Sequence, residues 1–239
     1  MDRLNEIAIT VDQDWVPDFM SDALLKWLTI RNIKSTWFIT HDSPILLELK
    51  KSPFVELGIH PNFLQGSTQG KNSAEVMKGL LRIVPDAKAA RTHAMVYSAS
   101  VARLLAVYGM QVDSSVYLGG MEGINPFRTK YTSGESIWRM PYFWSDDAEL
   151  SKPCPEWQIW DENGLKVLCF HPVHCYLNTA KWSDYLEFRQ HDQKDIKQTF
   201  ARLFVNDHEF GVADFLEKLL SHNVQSQYRT LSEIANGIV

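Results

Sequence analysis

The chemistry-bearing residues of this 239-residue chain begin with Asp12 and Asp14, which close the run Ile7-Ala8-Ile9-Thr10-Val11-Asp12-Gln13-Asp14-Trp15. As a strand, this run sends Ile7, Ile9 and Val11 to one side and Ala8, Thr10 and Asp12 to the other. If the extended backbone continues, Asp14 joins Asp12. Two carboxylates together are costly unless a cation compensates them. A divalent metal would do so, leaving one carboxylate as ligand and one as base; a turn in which each Asp bonds nearby amides is the plainer alternative. His60, His93, Asp146 and His171 follow the same rule as Asp12, each falling at the C-terminal end of an expected strand. In parallel α/β barrels that rim is where ligands bind.

Each of these residues also has a plainer explanation. A hydrogen-bonded strand-end histidine is the commoner role for His60 or His93 taken alone, and Arg91 could be a surface or ion-paired residue. Asp113 suits a turn or cap. Trp15, Trp138 and Trp144 suit packing, with sugar stacking as the minority role. His171 and His174 are separated by Pro172, which argues against a helical His-x-x-His pair. Extended geometry would send them to opposite sides, so at most one is expected to face the site.

The elements that must position these groups alternate. Asp18 is placed to cap a helix carrying Met20, Ala23, Leu24, Trp27 and Leu28 on one face. A strand over 35–40, a short helix over 44–50 and a strand over 54–61 follow. Residues 62–73 read as loop, and a helix over 74–84 is stopped by Pro85. Then come an extended 89–93, a helix over 98–108 and a strand over 111–117. Residues 119–136 are an excursion over one rim. Extended segments over 137–144 and 165–171 resume the rhythm, residues 177–208 read as a lid or surface helix, and a helix over 212–221 precedes a last strand over 228–231. Alternation with short connections predicts a parallel sheet with crossover helices, open or closed into a barrel. No repeat or linker marks a boundary, so residues 1–239 are expected to form one domain.

Bulk properties narrow the classes. A 45% hydrophobic share and 22% charged residues are ordinary globular values. A net charge of −5 gives no electrostatic reason to expect nucleic acid or an anionic membrane as partner. Three cysteines without close spacing argue against a disulfide framework and a cysteine-rich zinc site. The charged lead over 1–6 and the lack of a twenty-residue apolar span predict no membrane span and a cytoplasmic location.

Several pieces together resemble the polysaccharide deacetylase (NodB-homology) family. Thr10-Val11-Asp12-Gln13-Asp14 is similar to its Thr-Phe-Asp-Asp opening, Ser35-Thr36-Trp37-Phe38 to its Ala-Thr-Phe-Phe strand, and Glu56-Leu57-Gly58-Ile59-His60 to its Glu-x-Gly-x-His segment. Arg91-Thr92-His93 falls where the family has Arg-x-Pro. Leu168-Cys169-Phe170-His171 matches Leu-x-x-His, and residues 228–234 match the usual final strand and helix. The resemblance implies a distorted (β/α) barrel of about seven strands and a divalent metal, usually zinc.

It also implies roles: Asp12 as base, Asp14 and His60 as ligands, Arg91 orienting the base and His171 as general acid. Asp146 is then able to hold that imidazole and raise its pKa, since a neighbouring carboxylate favours the charged form. The inserted Gln13 leaves the two aspartates interchangeable. The family's second ligand histidine corresponds to Leu64 here, so His93 is the candidate replacement and His174 the runner-up. If neither reaches the metal, the chain is a pseudoenzyme or has different chemistry. The implied activity is removal of an N-acetyl group from a sugar, the substrate expected to be a nucleotide- or lipid-linked precursor in surface-polysaccharide or lipopolysaccharide biosynthesis. Hydrolysis of another C–N bond and non-catalytic saccharide binding are the alternatives.

Overall fold

The structure, a computed structural model, describes residues 6–121, 123–158, 164–191, 196–222 and 227–238. Five residues of the charged lead and part of the 177–208 stretch lie outside the described residues. The strands are β1 (Ile7–Asp12), β2 (Ser35–Ile39), β3 (Val55–Ile59), β4 (Ala89–Ala90), β5 (Val112–Asp113), β6 (Phe127–Lys130), β7 (Ser136–Arg139), β8 (Trp144–Ser145) and β9 (Lys166–Phe170). The helices are α1 (Asp18–Ile30), α2 (Ile45–Lys51), α3 (Ser73–Ile83), α4 (Ala99–Val107), α5 (Asp146–Leu150), α6 (Pro172–Leu177), α7 (Trp182–Arg189), α8 (Gln198–Ala201), α9 (Val212–His222) and α10 (Leu231–Gly237).

The sheet runs β6-β7-β5-β4-β3-β2-β1-β9-β8, parallel except for the β6–β7 pair. Its two ends are one stretch of chain. β7 pairs with β5 and β8 pairs with β9, and the four residues between them carry the connection. Met140 N–H donates to Asp113, Tyr142 N–H to Val116 and Phe143 N–H to Val167, so the hydrogen-bonded circuit closes through residues 136–145. Around that circuit lie β1 to β5, the 136–145 stretch and β9: the distorted barrel of about seven strands that the family resemblance implies.

β1 sits centrally between β2 and β9 and is buried along its whole length, as a parallel strand covered on both faces should be. Ile7, Ile9, Val11, Trp37 and Ile39 belong to the larger core, which includes residues of α1 to α4 and α9. Ala8, Phe38, Ala89, Val112, Met140 and Cys169 form a second core shared with Leu231 and Ile234 of α10. Gly58 is required here, because a Cβ would lie 2.7 Å from the Ala89 carbonyl and 2.8 Å from the Phe38 ring. That crowding explains the glycine of the Glu-x-Gly-x-His segment.

Several boundaries differ from the sequence reading. β4 and β5 are two residues each, although the extended runs are longer, because the chain beyond them bonds irregularly at the rim. The 119–136 excursion contains β6, which zips antiparallel onto β7. The last strand reduces to one bridge, Tyr228 to Ile7, because Thr230 and Glu233 form a capping box that starts α10. Asp18 does not cap α1; it begins the helix after Pro17 and accepts the Ile45 N–H at 3.3 Å. Ala23 is exposed, whereas Ser21 and Leu25 are buried.

Candidate active site

Five of the residues singled out by strand position meet on one rim. Asp12 ends β1, His60 follows β3, His93 lies three residues past β4, Asp146 follows β8 and His171 follows β9. Because these strands are parallel, all five ends open on the same side.

The two aspartates reach the site by different routes. β1 stops at Asp12, and Asp14 is held by a left-handed turn with φ of 48° rather than by continued strand. Aspartate tolerates that region better than most residues, and such outliers gather at functional sites. The inserted Gln13 is fully buried; its backbone N–H donates to Phe38 O and its side chain spans Ser43 Oγ and the Thr40 N–H. Thr40 Oγ donates to the Asp14 carbonyl. The insertion is thereby anchored to the β2 end, which separates the neighbours of the two carboxylates. Asp12 faces Arg91, and Asp14 faces His60 and His93.

Asp14 Oδ1, His60 Nε2 and His93 Nδ1 form a compact triangle. His60 lies 3.4 Å and His93 3.2 Å from Asp14 Oδ1, and the two ring nitrogens are 3.3 Å apart. Donor atoms about 2.0–2.1 Å from one tetrahedral zinc lie ~3.3 Å from one another. His60 Nδ1 donates to the Arg91 carbonyl at 2.8 Å, which leaves the Nε2 lone pair aimed into the triangle. Asp14 Oδ1 is a buried oxygen with no well-aligned hydrogen bond. Burial pushes the Asp14 carboxyl up, but His60 and His93 outweigh it and hold the group well below the usual carboxylate range. An orphaned carboxylate oxygen beside two imidazole nitrogens is a donor set that fits a divalent ion. Leu64 is 47% exposed and takes no part in the triangle; His93 occupies the place beside Asp14 and His60.

Asp12 is buried beside this triangle. Its Oδ1 accepts from Arg91 Nη1 at 2.9 Å, while Oδ2 lies 3.4 Å from Cys169 Sγ, 3.8 Å from His60 Nε2 and 4.0 Å from His171 Nε2. Arg91 is itself locked, donating from Nε and Nη2 to Ser114 and packing between the Phe38 and Tyr142 rings. Burial raises the Asp12 carboxyl, yet Arg91, His60 and His171 bring it below its ordinary value. Asp12 is therefore ionised, with one oxygen held and the other facing the site.

On the opposite wall His171 Nδ1 lies 2.6 Å from Asp146 Oδ1, and the His171 backbone N–H donates to Asp146 Oδ2 at 2.6 Å. Asp146 is fully buried. Burial alone would lower the His171 pKa, but the Asp147 and Asp146 carboxylates raise it well above that of free histidine. The imidazolium Nε2 then points between Asp12, Asp14 and Asp147, 4.0, 4.0 and 3.6 Å away.

The expectation that at most one of His171 and His174 faces the site is corrected. Pro172 is the first residue of α6, where its fixed φ starts a helix rather than breaking one. His171 caps that helix, and His174 in its first turn lies beside His171, the ring centroids 5.9 Å apart. His174 bonds Asp147 at 2.8 Å and Thr179 at 3.2 Å, not Asp14 or His60. Asp147 and Cys169 were missed as site residues. Asp147 directly follows Asp146, and a helix start there would have turned both into the rim. Cys169 lies two residues before His171, so strand alternation placed both on one side. Asp113 bonds the Ser115 N–H and pairs with Arg139, as a turn residue should. Trp144 is core; Trp15 lines the cleft, its ring 5.2 Å from His93.

Two cavities flank the group. One of about 430 Å³ is walled by Trp15, Trp182, Tyr185 and Arg189; the other, about 510 Å³, runs past Tyr117, Tyr142 and Ser145. Asp14, His93, Asp147 and His171 line both. Among the described residues no helix is long and apolar enough to cross a membrane.

A curled, largely parallel barrel of this kind recurs among solved structures of low sequence identity. Structures of a polysaccharide deacetylase-type protein from Mycobacterium smegmatis (13% identity, TM-score 0.53, covering 97% of this chain and 90% of that one) and of a 4-alpha-glucanotransferase from Thermococcus litoralis (12%, 0.53, 97% and 38%) share the fold. The chain belongs to the WbmS-like polysaccharide deacetylase family, whose profile matches residues 9–189. A Bordetella bronchiseptica protein assigned to the polysaccharide deacetylases and to O-antigen biosynthesis is similar throughout, at 26% identity and TM-score 0.81 over 91% of this chain and 90% of that one. No curated protein matches the chain.

Proposed function

We propose that the protein is a metal-dependent hydrolase that removes an N-acetyl group from a sugar, releasing acetate and a free amine. The observation carrying this reading is the Asp14–His60–His93 triangle, with its 3.2–3.4 Å spacings, set between a held carboxylate and a held imidazole. These three residues would hold a divalent ion, most simply zinc. Such an ion would supply Lewis-acid polarisation of the acetamide carbonyl and would lower the pKa of water toward neutrality.

The remaining work belongs to the chain's own groups. Asp12, held on one oxygen by Arg91, is placed to accept on Oδ2 the proton that an attacking water gives up. His171, charged and held by Asp146, delivers a proton from Nε2 to the departing nitrogen. The O-antigen assignment of the Bordetella relative supports a surface-polysaccharide precursor, nucleotide- or lipid-linked, as substrate.

Metal content and acetate release test the reading together. Asp14→Ala or His60→Ala should lose both the ion and turnover. His171→Ala should keep the ion and lose turnover. Full metal occupancy in Asp14→Ala and His60→Ala would refute the ligand assignment, and a metal-loaded native protein inert toward every N-acetylated sugar would refute the reaction.

A further inference from the structure

The cavity walled by α7 has a chemistry that the reaction itself does not require. α7 presents Trp182, Tyr185 and Arg189 at i, i+3 and i+7, one face of a helix. Phe188 is the helix's one fully buried residue; Trp182 and Tyr185 are half-buried, each packing one side against the core while lining the cavity with the rest. The Tyr185 ring packs edge-on against His174 with centroids 4.6 Å apart, and the Trp182 ring lies 5.1 Å from Tyr185. Trp15 stands in the same cavity beside His93. Aromatic rings lining one cavity together with polar side chains suit a pyranose ring, whose C–H faces are apolar and whose rim is hydroxylated.

Arg189 completes the pattern. It is exposed, forms no ion pair among the described residues and is the only lysine or arginine lining this cavity among them. It sits seven residues beyond Trp182, about 10 Å along the helix axis. The acids of this cavity, Asp14 and Asp147, are engaged by histidines. Arg189 is thereby the cation of the cavity wall left open to an anion, at the end away from the metal ligands.

The geometry points to the α7 wall as a glycosyl-phosphate subsite, in which Trp182 and Tyr185 hold the sugar ring and Arg189 binds a phosphate ester on it. Phosphate is favoured because a guanidinium presents a fork of donors matching its oxygens, and because one such group is common to nucleotide- and lipid-linked sugars. This inference rests on the deacetylase reading for the placement of the ring beside the metal ligands.

Calorimetric titration of the zinc-loaded full-length protein with N-acetylglucosamine 1-phosphate and with methyl N-acetylglucosaminide tests it. The phosphate should bind at least about tenfold more tightly, a difference typical of one charge-assisted contact. Arg189→Ala should remove that preference while altering the methyl glycoside's affinity little, Arg189→Lys should restore part of it, and Trp182→Ala should weaken both ligands. A nucleoside diphosphate sugar and a short prenyl diphosphate sugar then distinguish the two carriers. Equal affinity for charged and neutral ligands, no binding of either, or equal losses in Arg189→Ala would overturn the subsite. An N-acetylated aminouronate binding as tightly as the phosphate would overturn the phosphate assignment in favour of a carboxylate. Acetate release without charge preference sinks the subsite and leaves the reaction; charge-selective binding without acetate release does the reverse.

Discussion

Replacing Asp146 by asparagine isolates the electrostatic control of His171. Asp146 Oδ1 lies 2.6 Å from Nδ1 and Oδ2 accepts the His171 backbone N–H at 2.6 Å, so both oxygens are committed and no water reaches them. Asparagine keeps the shape but offers one acceptor, so either the ring or the backbone contact is lost along with the charge. At charge separations of ~4 Å and an effective dielectric near 20, the pair is worth about 4 kcal/mol, roughly three pKa units; at the dielectric of water it is under about one. Because Asp147 also raises the imidazole and is untouched, a fall of about one to three units is expected. The alkaline limb of kcat against pH should move down by that amount, and the nitrogen chemical shifts of His171 should titrate with it. A raised folded pKa stabilises the fold most below about pH 6.5, and that contribution is lost as pH rises through the folded value. Asp146→Asn should therefore cost more stability at low pH than at high pH. An unmoved alkaline limb and an unmoved His171 titration would refute the electrostatic role.

Arg91→Ala should destabilise the fold by about 3–5 kcal/mol at neutral pH in denaturant titrations, because it leaves the buried Asp12 carboxylate unpaired. Asp12 has a lowered pKa, so the stability from this pair is present above about pH 4 and disappears as pH falls through the folded value. The penalty of Arg91→Ala should shrink in acid, and Asp12→Asn in the same chain should recover part of it. Gly58→Ala forces a Cβ to 2.7 Å from the Ala89 carbonyl and should cost about 1–3 kcal/mol, read as a lower thermal midpoint. Cys169→Ser puts a stronger donor 3.4 Å from Asp12 Oδ2, and should shift the acidic limb of the rate profile downward with the metal retained.

Much of this was legible because parallel strands carry a strong signal and end at their chemistry. The runs at Ile7 and Leu168 are apolar on both faces, and Asp12 and His171 follow them directly, so strand polarity alone put both on one rim. His93 was harder, since β4 is only two residues long and His93 lies beyond it, at the start of an irregular turn that continues through left-handed Ala94 and Met95. His174 was misplaced because Pro172 reads as a breaker when it is in fact the first helical residue. Asp147 escaped notice because its role depends on α5 starting at Asp146, a boundary set by the barrel closing through residues 136–145 rather than by any local periodicity. The antiparallel β6 was hidden in a glycine-rich excursion, because its pairing partner and not its own composition makes it a strand.

The most direct test of the central claim is X-ray absorption at the zinc edge on the zinc-loaded protein, repeated on His93→Ala and His174→Ala. The native spectrum should show two imidazoles and one carboxylate, one imidazole should disappear in His93→Ala, and His174→Ala should leave the spectrum unchanged. Loss of an imidazole in His174→Ala with none in His93→Ala would place the ion among Asp147, His171 and His174 and contradict the account.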